Sequence, residues 1–250
     1  MANAIRTERA EQIARETAER WEEERGVSVT NKLWTYCAGK YGGPILDPAC
    51  GNGRWSIGLA ELCPDCEVVG FDINPTFIER ANQRVGQLKA EGRRLNASFH
   101  VQDLVDFDLG QEFGLAILPS YTWSTIITQP DQIAFLECLR RHLKPGGAFA
   151  LYVFMPEHRQ AELELQQAGT YAWPEDTVYS TQVKVYDALT QIERPEGTTG
   201  EVVRHTYLSE FELLFRLTGF KIAEMYGRDD DMRPFTGRYD DDYGIVAEAI

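Results

Sequence analysis

Between Gly42 and Phe154, short apolar runs alternate with helical patterns, and this alternation limits the possible folds more than any other feature of the chain. Residues 44–47, 67–72, 97–101, 113–118 and 148–154 read as strands, and 51–62, 76–88 and 131–143 as helices. Strands separated by helical crossovers pair in parallel, and a parallel sheet needs helices on both faces. The first, second, fourth and fifth runs are almost continuously apolar, as strands buried on both sides must be. Thr76 with Glu79 predicts a capping box for the second of these helices, and Pro130 opens the third.

After Met155-Pro156 the rhythm changes. Residues 157–176 are polar and read as a helix and a loop. Residues 178–192 and 201–207 alternate like half-exposed antiparallel strands, with a reversal predicted at Arg194-Pro195-Glu196-Gly197. A helix follows at 209–217, with Ser209 and Glu212 as a capping box and Gly219 at its end. Strands at 221–226 and 243–248 close the chain. Upstream, 4–25 is rich in Glu, Arg and Ala and reads as a solvated helix with a stripe at Ile5, Ile13 and Trp21; a shorter helix is expected at 30–40.

The most informative stretch is Ile45-Leu46-Asp47-Pro48-Ala49-Cys50-Gly51-Asn52-Gly53-Arg54. It reads as a strand, a glycine turn and a helix start. Glycine lets a ligand approach backbone with no Cβ in the way, and the helix start offers unpaired N–H groups. Asp72 ends the second strand, 25 positions after Asp47, where an acid can accept both hydroxyls of a ribose. Asp103 ends the third strand, within reach of an adenine amine. Lys144-Pro145-Gly146-Gly147 turns into the fifth. These groups share the carboxyl ends of successive strands, where open α/β sheets bind ligands. A dinucleotide fingerprint does not fit, because 49–54 reads Ala-Cys-Gly-Asn-Gly-Arg and lacks the third glycine.

This pattern resembles the class I S-adenosylmethionine-dependent methyltransferases, of the type that modifies small molecules. The resemblance spans about 30–155 and returns at 208–250, and it implies a doubly wound, mostly parallel seven-stranded sheet of Rossmann-like type. It also implies an N-terminal helical lid (1–43), a cofactor-binding core (44–155), an antiparallel insertion or lid (156–207) and a C-terminal completion of the sheet (208–250). S-adenosyl-L-methionine is the implied cofactor. Asp47, Gly51 and Gly53 match the glycine motif, Asp72 the ribose acid and Asp103 the adenine acid. Ala49, Ile73, Leu104 and Pro119 join them as expected cofactor neighbours. Ala49 departs from the family, which has glycine there, and its methyl is expected to be accommodated at a negative φ.

The acceptor should meet the methyl group beyond the fourth strand, at Pro119-Ser120-Tyr121-Thr122-Trp123. Tyr121 and Trp123 are candidate contacts there, since an aromatic face suits a sulfonium. Of the four histidines, His100 and His142 read as structural, while His158 and His205 are candidate general bases. No metal-ligand cluster stands out, and Cys63-Pro-Asp-Cys66, with no second pair, reads as structural or incidental cysteine. With 39 acidic against 25 basic residues the net charge is -14, which opposes nucleic acid and suits a cationic partner. No run reaches the ~18–20 apolar residues of a membrane span, and the first 25 residues lack a signal-peptide core, so a cytoplasmic enzyme is expected. A small-molecule acceptor, attacked through nitrogen or oxygen and drawn from secondary metabolism, is the functional expectation, with a homodimer compatible. A non-catalytic cofactor-binding module for protein contact is the alternative.

Overall fold

The computed structural model describes residues 31–156, 184–187, 189–195, 202–227, 232–237 and 242–250. The expected features at 4–25 and 157–176, together with His158 and the acidic run at 228–231, lie outside the described residues. The chain begins with α1 (Lys32–Tyr41), β1 (Ile45–Pro48), α2 (Arg54–Leu62), β2 (Glu67–Asp72), α3 (Pro75–Ala90) and β3 (Asn96–Val101). It continues with β4 (Phe113–Leu118), a 3-10 turn (Thr122–Thr125), α4 (Gln129–Arg141) and β5 (Leu143–Phe154). Three short strands follow, β6 (Lys184–Asp187), β7 (Ile192–Pro195) and β8 (Val203–Arg204), and then α5 (Leu208–Thr218), β9 (Phe220–Tyr226) and β10 (Asp242–Ala249).

Seven strands form one sheet in the order β3-β2-β1-β4-β5-β10-β9, and β10 runs antiparallel to both of its neighbours. The doubly wound expectation holds. The order reverses at β1, between β2 on one side and β4 on the other, which opens a crevice at their carboxyl ends. Alternate residues feed two cores. Leu46, Ala116, Leu118 and Phe149 face a layer containing Phe135, Leu139, Phe211 and Phe215 from α4 and α5. Ile45, Leu115, Ile117 and Ala150 face the other, with Leu33, Trp34, Ile57 and Val85 from α1, α2 and α3.

Several boundaries differ from the sequence reading, each for a local reason. Gly51 and Gly53 take φ values of 55° and 76°, so they belong to the turn and α2 starts only at Arg54. Neither predicted capping box forms. Asn74 caps α3 by accepting from the Thr76 N–H, and Pro75 opens the helix, leaving Thr76 already inside it. Likewise α5 opens at Leu208, which places Ser209 in its first turn. β5 already pairs at Leu143 with Phe113, so the Lys144–Gly147 segment is a bulge within the strand.

The expected strand at 178–192 is divided as well. Its described part contains β6 and then the start of β7, with an unexpected reversal before Ile192; β7 and β8 are antiparallel as well, and residues 196–201 between them, where the reversal expected at 194–197 would finish, lie outside the described residues. Asp187 makes this turn by accepting from the Leu189 N–H (2.9 Å) and the Thr190 hydroxyl (2.8 Å). β6, β7 and β8 form a separate antiparallel sheet. Cys63 and Cys66 are joined as a disulfide, while Cys37, Cys50 and Cys138 are free and buried. Among the described residues no helix is long and apolar enough to cross a membrane.

Candidate active site

The turn after β1 is the floor of the crevice. The Cys50 N–H donates to the Phe71 carbonyl (2.9 Å), which ties the turn to β2. A Cβ on Gly53 would lie 2.7 Å from the Phe99 ring, so this position needs glycine for room as well as for its left-handed φ. At Gly51 the same test meets nothing within 4 Å, so its backbone borders open space.

Asp47 is wholly buried at the end of β1. One carboxylate oxygen accepts from the Ser56 hydroxyl, and the other, Oδ1, is buried without a hydrogen-bond partner among the described residues. Burial pushes its pKa up to about 7; the Ser56 hydroxyl opposes the rise and the charge of Asp72 adds to it. Asp72, at the end of β2, accepts from the Gly51 N–H (3.0 Å) and the Asn74 N–H (2.9 Å). Burial raises its pKa too, against the lowering effect of those backbone donors. Each Asp72 oxygen has a lone pair beyond the bond it makes, so the carboxylate can take further donors.

Next to Asp72, Ile73 is 67% exposed, an apolar side chain held out at the crevice rim. Asp103 is exposed beyond β3, and its carboxylate accepts from the Val105 N–H (3.0 Å), with Leu104 half-buried beside it. Three of the sequence candidates, Asp47, Asp72 and Asp103, thus stand at the ends of the adjacent strands β1, β2 and β3. The glycine turn lies against the first two.

Ala49 corrects an expectation. Its φ is 59°, not negative, so an alanine occupies the left-handed conformation that favours glycine. Ser120 (59°) and Tyr121 (58°) are strained in the same way just after β4. All three lie on the two loops that border the switch point between β1 and β4, and strained backbone of this kind collects at functional sites.

Across the crevice, Pro119 is buried and the Trp55 indole N–H donates to the Ser120 hydroxyl (3.0 Å), linking α2 to this loop. Tyr121 stacks on Phe154 with ring centroids 3.9 Å apart, and its hydroxyl donates to Asp242, which also accepts from Tyr152 (2.9 Å). Trp123 is placed otherwise than a loop aromatic. It is 1% exposed, packs on Phe135 and Phe211, and donates its indole N–H to Thr206 (2.9 Å). It packs into the core beneath the loop and also lines the small cavity between this loop and the three-stranded sheet.

The three-stranded sheet meets this loop through buried polar groups. Arg204 donates to Gln132 (2.9 Å), Thr206, Gln191 and Glu210. His205 is 4% exposed, and its Nε2 pairs with Glu193 Oε2 at 3.0 Å. Of these residues only His205 was a sequence candidate. Glu193, Arg204, Thr206 and Asp242 carry no local motif; Arg204, Thr206 and Asp242 bond to residues 72 or more positions away, and Glu193 pairs with His205 across the small sheet. His100 is exposed on β3. His142 caps α4 and accepts from the Leu109 N–H with Nε2, a structural role.

Residues 45–147 match a family described as "Methyltransferase domain". The chain is 25% identical over 205 residues to the cypemycin N-terminal methyltransferase of a Streptomyces species, covering 79% of this chain and 80% of that protein. It spans less than half the length of several other curated relatives that it matches. Among solved structures, the CcbJ methyltransferase from Streptomyces caelestis superposes with a TM-score of 0.67 at 20% identity, over 86% of this chain and 88% of that one. The glycopeptide N-methyltransferase MtfA superposes with a TM-score of 0.60 at 17% identity, over 91% and 93%.

Proposed function

Because the chain belongs to the class I S-adenosylmethionine-dependent methyltransferase family, with S-adenosylmethionine as its cofactor, we propose that it methylates an amine nitrogen of a small acceptor. The observation that carries this reading is the acceptor wall: the stacked rings of Tyr121 and Phe154, with the Asp242 carboxylate behind the Tyr121 hydroxyl. An aromatic face backed by an acid attracts a cation, and the net charge of -14 favours one at longer range. The glycopeptide enzyme is an N-methyltransferase by name and the cypemycin enzyme an N-terminal methyltransferase, which supports nitrogen over oxygen.

The crevice fits the cofactor on its own features. The orphaned Oδ1 of Asp47 can receive an ammonium, the open backbone at Gly51 leaves room for the methionine end, and exposed Ile73 offers an apolar surface to a base. Asp72 would hold the ribose hydroxyls and Asp103 the adenine amine, with Ala49, Gly53, Leu104 and Pro119 shaping the walls. When bound, S-adenosylmethionine supplies a methyl group made electrophilic by its sulfonium. The protein's own work is then alignment and exclusion of water. Asp47, Asp72 and the turn fix one side, and the 120–124 loop with the three-stranded sheet fixes the other.

The test is incubation with methyl-labelled cofactor and a set of probes: glucosamine and trialanine as amines, catechol as a hydroxyl acceptor. Label on an amine with equimolar S-adenosylhomocysteine is the expected result. Label on catechol alone would replace nitrogen by oxygen, and cofactor binding without any transfer would favour a non-catalytic module.

A further inference from the structure

We propose that His205, held by Glu193, is the base that removes the acceptor's proton; this rests on the methyl-transfer reading above. A small cavity of about 10 Å³, near the lower limit for one water, lies between the acceptor loop and the three-stranded sheet. Tyr121, Ser124, Phe154, Arg204, His205 and Thr206 are among its walls. It is the place where the strained 120–121 backbone, the Tyr121–Phe154 stack and His205 converge. It holds one heavy atom, not a metabolite, so the group it suits is the attacking atom or a single relaying water.

The two imidazole nitrogens of His205 differ in their surroundings. Nε2 lies 3.0 Å from a Glu193 carboxylate that is itself 1% exposed, whereas Nδ1 is buried without a hydrogen-bond partner among the described residues. A carboxylate accepts only, so Nε2 carries the hydrogen and Nδ1 is left with a bare lone pair. An orphaned buried acceptor costs about 1–3 kcal/mol unless something donates to it, and here the donor is the acceptor's N–H. The buried carboxylate then becomes the counter-ion of the imidazolium, as in the general base–orienter arrangement. The Tyr186 ring packs against the imidazole at 5.2 Å and restricts it further.

The step balances as follows. The acceptor's ammonium gives one proton to His205 Nδ1. The freed nitrogen lone pair forms a bond to the methyl carbon as the carbon–sulfur bond breaks, and that electron pair stays on sulfur. The product is a methylated ammonium and a neutral thioether, and the imidazolium returns its proton to water. Among the described residues, the ionisable groups around His205 include Glu193, Tyr186, Arg204 and Tyr121, with Glu210 beyond Arg204.

Two measurements on the full chain decide it. Long-range proton–nitrogen spectra of histidine-labelled protein, assigned with His205→Asn, should show the His205 tautomer with hydrogen on Nε2 and a bare Nδ1. Glu193→Gln should release this lock and mix the tautomers. Hydrogen on Nδ1 would overturn the proposal, because no lone pair would remain for the acceptor. With glucosamine or trialanine as probe, His205→Asn should lower kcat about 10²-fold or more while the cofactor Kd stays within about twofold. It should also abolish the rise of kcat with pH, and Glu193→Gln should fall between it and the parent. An unchanged rate and pH profile in His205→Asn would overturn the proposal while leaving methyl transfer intact. A parent protein that binds cofactor but methylates neither amine would instead remove the amine reading, and the tautomer would still decide the dyad.

Discussion

The two walls of the crevice are built by different means. On the proposed cofactor side, the ends of β1 and β2 carry the candidate groups, and their bonds are short-range or between adjacent strands: Asp47 to Ser56, Asp72 to Asn74 and Gly51. On the acceptor side, the contacts join distant parts of the chain, Tyr121 to Asp242, Trp123 to Thr206 and Arg204 to Gln132. The first wall therefore inherits its geometry from the sheet. The second exists only when the three-stranded sheet, α4, α5 and β10 have all docked. Damage to one wall should leave the other measurable.

The largest effect is expected at Gly53. An alanine there sets a Cβ 2.7 Å from Phe99 and forces a left-handed φ on a residue with a side chain. Strain of ~1–2 kcal/mol with overpacking of ~1–3 kcal/mol gives a loss of about 2–5 kcal/mol in urea unfolding. Arg204→Met should cost about 3 kcal/mol, since it leaves Glu210, Gln191 and Gln132 without their shared donor. Faster hydrogen exchange should be confined to β7, β8 and the 120–126 turn. If exchange also rises across β1 and β2, the two walls are not independent.

Asp47 makes the cofactor wall pH-sensitive. Its folded pKa, about 7, exceeds the ordinary 3.8, so between these values the native state holds a proton that the unfolded chain has lost. Stability should therefore fall as pH rises through that window. Asp47→Asn should flatten this fall, measured as the urea midpoint at successive pH values. The smallest effect belongs to Ala49. Relief of its left-handed φ by Ala49→Gly offsets the greater freedom of glycine in the unfolded chain, so stability should change by less than about 1 kcal/mol. A loss of several kcal/mol would mean that the alanine methyl is packed, not merely tolerated.

This contrast also explains what was legible in the sequence. Strand and helix order could be read because parallel strands are continuous apolar runs, and β1 and β4 are buried along their whole length. The positions of Asp47, Asp72 and Asp103 could be read because each acid follows an apolar run and marks the end of its strand. The conformation of Ala49 could not, since the same residue fits either sign of φ until the turn closes against β2. Glu193, Arg204 and Asp242 were invisible because each is an ordinary charged residue locally, and its partner is set by the folded sheet or by a distant segment, not by a local motif. The burial of Trp123 was hidden for the same reason, since Thr206 and Phe211, which cover it, come from distant segments. The capping boxes failed at finer scale, where Asn74-Pro75 began α3 earlier than the Thr76 pattern.

The most direct test is calorimetric titration with S-adenosylmethionine of the parent, Asp72→Ala and Arg204→Met. Removing the Asp72 carboxylate should weaken binding by about 1–3 kcal/mol, because the ribose hydroxyls lose their acceptor. Removing the Arg204 guanidinium, on the other wall, should leave the cofactor Kd within about twofold. Unchanged affinity in Asp72→Ala, or an equal loss in Arg204→Met, would contradict the placement of the cofactor on the β1–β2 edge and the separation of the two walls.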